Sequence, residues 1–235
     1  MEPLELLHEP PGLASFPLPD ALAALYPGSF GLPQECVYAN FVETLDGVVA
    51  LPGVARSNRL IADSSEADLF VMALLRACAD AIVVGAKTLL ASPKNRWTAE
   101  AAFPACADAF AELRIALGLE EQPDVVVLTR ARDVEAAPEV RERLSVRPDA
   151  AEALAELRER GRRRILCEGG PTLFGRLVAA GLVDELFLTL SPVLAGDGLS
   201  LVEGETLLPH RRVAATLAGV RRHGAHLFLR YAFER

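Results

Sequence analysis

No apolar run in the 235 residues approaches the about 20 needed to cross a bilayer. Met1 opens onto acidic and proline residues instead of a basic segment with an apolar stretch behind it. Neither a membrane span nor a secretory leader is therefore expected, and a cytoplasmic location is. Cysteine is scarce: Cys36, Cys78, Cys106 and Cys167 stand far apart, with no CxxC pair to chelate zinc and no dense disulfide framework. They read as reduced core residues, since a free thiol packs as a small hydrophobe. Lysine is scarcer still. Lys87 and Lys94 are the only two among 24 basic residues, so cationic binding falls to planar guanidinium groups. Those basic residues face 32 acidic ones, and the net charge of −8 argues against general affinity for nucleic acid or anionic lipid. A small-molecule ligand fits better.

Motifs are missing too. There is no GxGxxG after a strand, no P-loop, no GxSxG elbow and no HExxH helix. The four histidines, His8, His210, His223 and His226, lie in the first residues and the tail, where surface or hairpin positions are expected and metal ligation is not.

What is present is apolar material, 51% of the chain, in a pattern that alternates strand and helix. Residues 1–33 carry seven of the sixteen prolines and read as an arm with one short helix, 20–25, ahead of a single domain over 34–235. A strand follows at 36–43, then an Asp46-Gly47 turn and a second apolar stretch at 48–51. Asp63 and Glu66 have capping-box spacing before a helix over 64–79. Strands are expected at 81–85, 125–129, 164–167 and 185–190. Helices are expected at 104–117, 149–160 and 171–180, with Gly118, Gly161 and Gly181 past their ends. Two β-like runs, 212–222 and 226–233, suggest a closing antiparallel hairpin. The pattern predicts a three-layer α/β/α fold with a mixed, mostly parallel central sheet.

Three strand ends carry chemistry, and the ends of strands are where open α/β sheets bind ligands. Gly85-Ala86-Lys87-Thr88 places a glycine and a hydroxyl where a strand turns into a helix, a pattern that suits either a phosphate or a plain turn. Glu168-Gly169-Gly170-Pro171-Thr172-Leu173 is the strongest signal. Its glycines admit close approach to the main chain, Pro171 suits a first helical turn, and the exposed amides favour a pyrophosphate. Thr129-Arg130 could hold the 2′-phosphate that separates NADPH from NADH.

At these strand ends the sequence resembles the reductase domain of the bifunctional deaminase-reductase of riboflavin biosynthesis, in the dihydrofolate-reductase-like superfamily. The resemblance rests on Ala39-Asn40-Phe41-Val42-Glu43-Thr44-Leu45-Asp46-Gly47, on Leu74-Leu75-Arg76-Ala77 with 79–88, and most closely on Ile165-Leu166-Cys167-Glu168-Gly169-Gly170-Pro171-Thr172-Leu173. It continues through 182–186 to Ser191-Pro192. The resemblance implies NADPH as hydride donor and a homodimer. It implies cofactor contacts at Val84, Gly85, Thr88, Thr129, Arg130, Gly169, Gly170, Pro171, Thr172 and Leu173. It sets Asn40, Thr44 and Asp46 on the substrate side and Glu168 near the nicotinamide, with Asp46 or Glu168 as candidate catalytic acids; Asp46-Gly47 equally suits a simple turn.

The implied reaction reduces the ribosylamino side chain of 5-amino-6-(5-phosphoribosylamino)uracil to ribitylamino. Two departures bear on that expectation. No HxE or PCxxC is present, so deamination is not expected. Ala91-Ser92-Pro93 also lacks the acidic residue that riboflavin reductases usually carry before that proline, and Lys94 to Trp97 follow. Arg56, Arg59 and Arg96 are candidates for a substrate phosphate. Reduction of dihydrofolate or another pterin-like ring, and nucleotide binding without turnover, are the alternative readings.

Overall fold

Runs of consecutive apolar residues build the centre of the structure, because strands covered on both faces need apolar side chains at every position. The computed structural model describes residues 1–54, 57–131 and 134–234. Arg56 lies outside the described residues. In chain order the elements are β1 (Glu5–His8), α1 (Asp20–Leu25), β2 (Cys36–Glu43), β3 (Val48–Ala50), α2 (Ser57–Ile61), α3 (Glu66–Ala77), β4 (Ala81–Gly85), α4 (Ala86–Ala91), α5 (Ala99–Ala102), α6 (Ala107–Ala116) and β5 (Asp124–Leu128). There follow β6 (Leu144–Arg147), α7 (Ala150–Glu159), β7 (Arg164–Cys167), α8 (Pro171–Ala179), β8 (Glu185–Leu190), β9 (Leu199–Ser200), β10 (Ala215–His223) and β11 (His226–Phe233).

Nine strands form one sheet in the order β1-β10-β11-β8-β2-β7-β4-β5-β6, and β3 pairs with β9 apart from it. From β8 to β6 every neighbouring pair is parallel; from β8 through β11 and β10 to β1 every pair is antiparallel. The sheet is thus mixed and mostly parallel, and the expected hairpin closes it through His223 paired with His226. One face is covered by α3 and α6, with Phe70, Leu74, Leu75, Phe110 and Leu113 against Tyr38, Ile82 and Val84. The other is covered by α7 and α8, with Leu154, Leu157, Phe174 and Leu177 against Val37, Ala39, Val83 and Ile165. Leu4, Leu22, Tyr26, Phe30 and Leu32, from the proline-rich first residues, join the α3 side of the core. Among the described residues no helix is long and apolar enough to cross a membrane.

Two local readings change. Asp63 does not cap α3: Asp63 and Ser64 take left-handed φ values of 49° and 54°, and Ser65 accepts from the Asp68 amide at 3.2 Å instead. The cap moves two residues because the chain needs both to turn into the helix. β1 and β6 also join the sheet at its edges, where pairing by the backbone asks little of the side chains. Cys36, Cys78 and Cys167 are buried and Cys106 is half-buried; burial pushes the Cys78 and Cys167 thiols up to about 12.

Candidate active site

β7 enters the sheet between β2 and β4, so its exit loop emerges between theirs. After β4 the chain turns onto the α3 side, where Leu89 of α4 is buried. After β7 it turns to the opposite side, where Leu173 and Phe174 of α8 are buried. Adjacent parallel strands that send their helices to opposite faces leave a crevice at their carboxyl ends. A Cβ built on Gly85 would stand 4.0 Å from the Gly170 amide nitrogen, and one on Gly170 would stand 3.4 Å from Thr88 Oγ1. The two turns therefore meet across the crevice, with backbone and a hydroxyl facing each other where side chains would intrude.

Both helices that open here lack a side-chain cap, α4 behind Gly85 and α8 behind Gly170. By contrast, α3 and α7 are capped by Ser65 and Asp149. Uncapped first-turn amides of α8 offer donors and the positive end of a helix dipole to an anion. The donor set fits the phosphates of a dinucleotide. Gly169 has a different reason to be glycine: a Cβ there would meet Leu173 Cδ2 at 2.3 Å, so its smallness seats α8 on the sheet. Val84 and Leu173 are buried, which leaves only their main chain to face a ligand, while Thr172 is exposed. One strand further out, Thr129 Oγ1 accepts from the Ala131 amide at 3.1 Å and Arg130 is exposed.

The α3 side of the crevice holds a line of polar groups. Arg76 grips Glu168 with Nε donating to Oε1 at 2.8 Å and Nη2 to Oε2 at 2.6 Å, both side chains under 10% exposed. Arg76 Nη1 also donates to the Thr98 carbonyl, and the guanidinium lies over Trp97, 5.4 Å from the ring centroid. Both Glu168 oxygens are thus taken by one guanidinium. Glu168, expected as a candidate acid, stands at the end of β7 with its carboxyl paired to Arg76.

A second carboxyl stands within electrostatic reach of Glu168. Asp68, half-buried in the first turn of α3, is pushed up to about 6, first by loss of water; Glu168 adds to the rise, and hydrogen bonding with Thr189 and the nearby His226 oppose it. Thr189 on β8 and Ser191, one residue past its end, are both buried. Asn40, half-buried on β2 opposite Phe187, borders a small cavity of about 10 Å³ with Thr189 and Arg230.

Thr44 and Asp46 serve the chain itself. Asp46 Oδ1 accepts from Thr44 Oγ1 at 2.5 Å and from the Ala195 amide at 3.1 Å, and Oδ2 accepts from the Gly196 amide at 2.7 Å. Thr44 Oγ1 in turn accepts from the Val48 amide at 3.0 Å. These bonds, that from Thr44 foremost, hold the exposed Asp46 carboxyl down at about 2. Asp46, expected as a candidate acid, clamps the β2–β3 turn to residues 195–196. Of the arginines, Arg59 is exposed on α2, near the Ala62 carbonyl that faces His226 Nε2 at 3.1 Å. Arg96 is exposed, one residue before the Trp97 that lies against Arg76, and its carbonyl is bound by Arg143, which also holds the Pro123 carbonyl just before β5.

The sequence reading missed Arg76 as the partner of Glu168. A signal existed in α3, where an arginine interrupts an otherwise apolar stripe.

The family model described as the RibD C-terminal domain matches residues 35–229. A 2,5-diamino-6-ribosylamino-4(3H)-pyrimidinone 5′-phosphate reductase of Methanothermobacter thermautotrophicus is 32% identical over 189 residues, covering 72% of this chain and 84% of that protein. A reductase of the same name from Archaeoglobus fulgidus is 27% identical over 201 residues, covering 75% and 90%. Among solved structures, a pyrimidine reductase-like protein of Corynebacterium diphtheriae shares the fold with a TM-score of 0.64 at 19% identity, over 86% of this chain and 92% of that one. RibD of Acinetobacter baumannii does so with a TM-score of 0.61 at 18% identity, over 86% of this chain and 59% of its own.

Proposed function

The chain belongs to the RibD C-terminal domain family, and on that premise we propose that it is an NADPH-dependent pyrimidine reductase, which converts the ribosylamino side chain of a phosphorylated aminopyrimidine to ribitylamino. The observation that carries the reading is the crevice between Gly85 and Gly170, open to backbone approach and lined by uncapped helix amides. The relatives named for the 2,5-diamino-pyrimidinone phosphate, covered over 84% and 90% of their length, support that compound as substrate ahead of the deaminated uracil form.

In this reading the pyrophosphate lies against the amides of Gly170 and Thr172 and the Thr88 hydroxyl, the Leu173 amide being bonded to the Gly170 carbonyl at 3.0 Å. Val84 and Gly85 contribute main chain, Pro171 shapes the turn, and Thr129 and Arg130 receive the 2′-phosphate. A dihydronicotinamide bound there supplies the hydride. The protein's own share is orientation and charge. Glu168, fixed by Arg76, presents negative charge where positive charge develops on the substrate, Asn40 borders the ring, and Arg59 is the described guanidinium suited to the substrate phosphate. The resemblance also supports a homodimer, which light scattering tests.

The deciding experiment follows NADPH absorbance with the 2,5-diamino-pyrimidinone phosphate, the uracil phosphate and dihydrofolate. Oxidation with a ribosylaminopyrimidine phosphate and a ribityl product upholds the proposal. Turnover of dihydrofolate alone, or tight NADPH binding with no turnover, overturns it.

A further inference from the structure

The two turns that face each other across the crevice, 85–88 and 168–172, contain two charged residues, Lys87 and Glu168. An acid is out of place there. Glu168 stands two residues, at most about 7 Å of chain, before Gly170, whose amide is offered to the pyrophosphate. Like charges repel, and the chain already carries a net −8. We infer that Arg76 is a positioning residue of the dinucleotide site: through Glu168 it pins the Gly169-Gly170 turn and cancels the one negative charge beside the phosphate donors. The inference rests on the reductase reading above and deepens it.

The contacts are those of a guanidinium fixed on three sides. Nε and Nη2 hold the two Glu168 oxygens at 2.8 and 2.6 Å, and Nη1 donates to the Thr98 carbonyl at 3.3 Å. The ring of Trp97 lies against it, 5.4 Å from centroid to guanidinium carbon. Trp97 itself takes a left-handed φ of 55°, which bulky residues rarely adopt, and its amide donates to Asn95 Oδ1 at 2.9 Å. An uncommon backbone conformation therefore occurs at the residue that backs Arg76. The Arg76 and Glu168 side chains are 3% and 8% exposed, so little water reaches the pair.

The same glutamate donates its amide to the Val83 carbonyl at 3.1 Å, which ties the turn to β4, the strand that ends at Gly85. The turn is thus fastened twice, by its backbone to β4 and by the Glu168 side chain to α3. Gly169 and Gly170 have no side chains with which to fasten it themselves.

Paired, the two charges cancel at the range of a phosphate, though not for a group touching the Glu168 oxygens. Without Arg76, the charge of Glu168 stands bare beside the first amides of α8. Without the acid, the guanidinium adds its charge to theirs. The two halves of one pair therefore act on the cofactor in opposite directions, although removal of either leaves a buried charge unpartnered.

The test is titration of wild type, Arg76→Met, Arg76→Lys and Glu168→Gln with NADPH at 0.1 and 1 M salt, together with the urea midpoint of each. Arg76→Met is expected to weaken NADPH binding about tenfold or more. Glu168→Gln, which keeps an oxygen for Arg76 and sheds the charge, should bind NADPH at least as tightly as wild type. Both should have lower urea midpoints, so a purely structural role would weaken binding in both. Arg76→Lys keeps the charge with a single prong and should bind NADPH more tightly than Arg76→Met. The gap between wild type and Arg76→Met should narrow at 1 M salt, where the screening length falls from about 10 to about 3 Å. Equal losses in Arg76→Met and Glu168→Gln, a gap that ignores salt, or unchanged binding in Arg76→Met overturns the inference and leaves the reductase reading standing. If Arg76→Met does not fold, Glu168→Gln decides, and weaker NADPH binding there overturns the inference. A wild type that binds no NADPH overturns the dinucleotide site itself and the inference with it.

Discussion

Arg76 and Glu168, 92 positions apart in the chain, meet in a two-pronged ion pair that fastens α3 to the loop leaving β7. The pair lies beneath the crevice. The geometry of the candidate site therefore depends on a contact that touches no ligand phosphate.

Removing one half of that pair leaves a buried charge without a partner. Arg76→Met should cost about 3–5 kcal/mol of stability, read as a lower midpoint in urea. Arg76→Met with Glu168→Gln should recover much of the loss. Arg76→Lys should recover little, because an ammonium cannot make both prongs.

The two adjacent glycines should respond differently. Gly170→Leu fills space beside Thr88 and should weaken NADPH binding at least tenfold with the melting temperature nearly unchanged. Gly169→Ala drives a methyl into Leu173 and should lower stability by roughly 1–3 kcal/mol. Titration and thermal melting of both variants separate the effects.

Arg130→Ala should narrow the preference for NADPH over NADH, by roughly tenfold or more, since a charged hydrogen bond to phosphate contributes about 1.5–3 kcal/mol. The ratio of kcat/KM for the two cofactors measures this, and an unaltered ratio would remove Arg130 from the site.

Asp68 also makes the fold sensitive to pH. Its carboxyl titrates near 6 in the fold against 3.8 ordinarily, so the folded chain holds a proton that the unfolded chain has released. Stability from this group falls as pH rises from about 4 through 6 and stays lower above. Asp68→Asn should therefore raise stability at pH 7.5 by about 1–3 kcal/mol, while its advantage shrinks below pH 4. Urea melts at the two pH values check the sign.

Asp46 runs the other way. Its depressed pKa means that the clamp is present above about pH 4 and is lost as pH falls through about 2. Asp46→Ala should speed hydrogen exchange at the Ala195 and Gly196 amides at neutral pH, and acidification of the wild type should do the same.

Much of this fold was legible. β2 and β7 run over the expected residues because their apolar stretches end sharply at polar or glycine positions, and Gly118, Gly161 and Gly181 take positive φ just past their helices. β1 and β6 were not legible, because an edge strand needs only a backbone partner. At the site, the Gly85 and Gly170 turns could be read locally, since each glycine stands where its own strand ends. The pairing of Arg76 with Glu168 could not, because nothing within either segment names the other. The clamp at Asp46 was hidden for a related reason: nothing in the Asp-Gly turn names the Ala195 and Gly196 amides that its carboxylate binds.

The deeply seated thiols give the protein a built-in reporter. Cys36 and Cys167 lie in β2 and β7 and Cys78 caps the end of α3, all three buried, while Cys106 is half-buried. An alkylating reagent at neutral pH should modify Cys106 first and the other three only when the sheet opens. The rate at which a mass spectrum gains those three adducts would time the opening of β2, α3 and β7 separately.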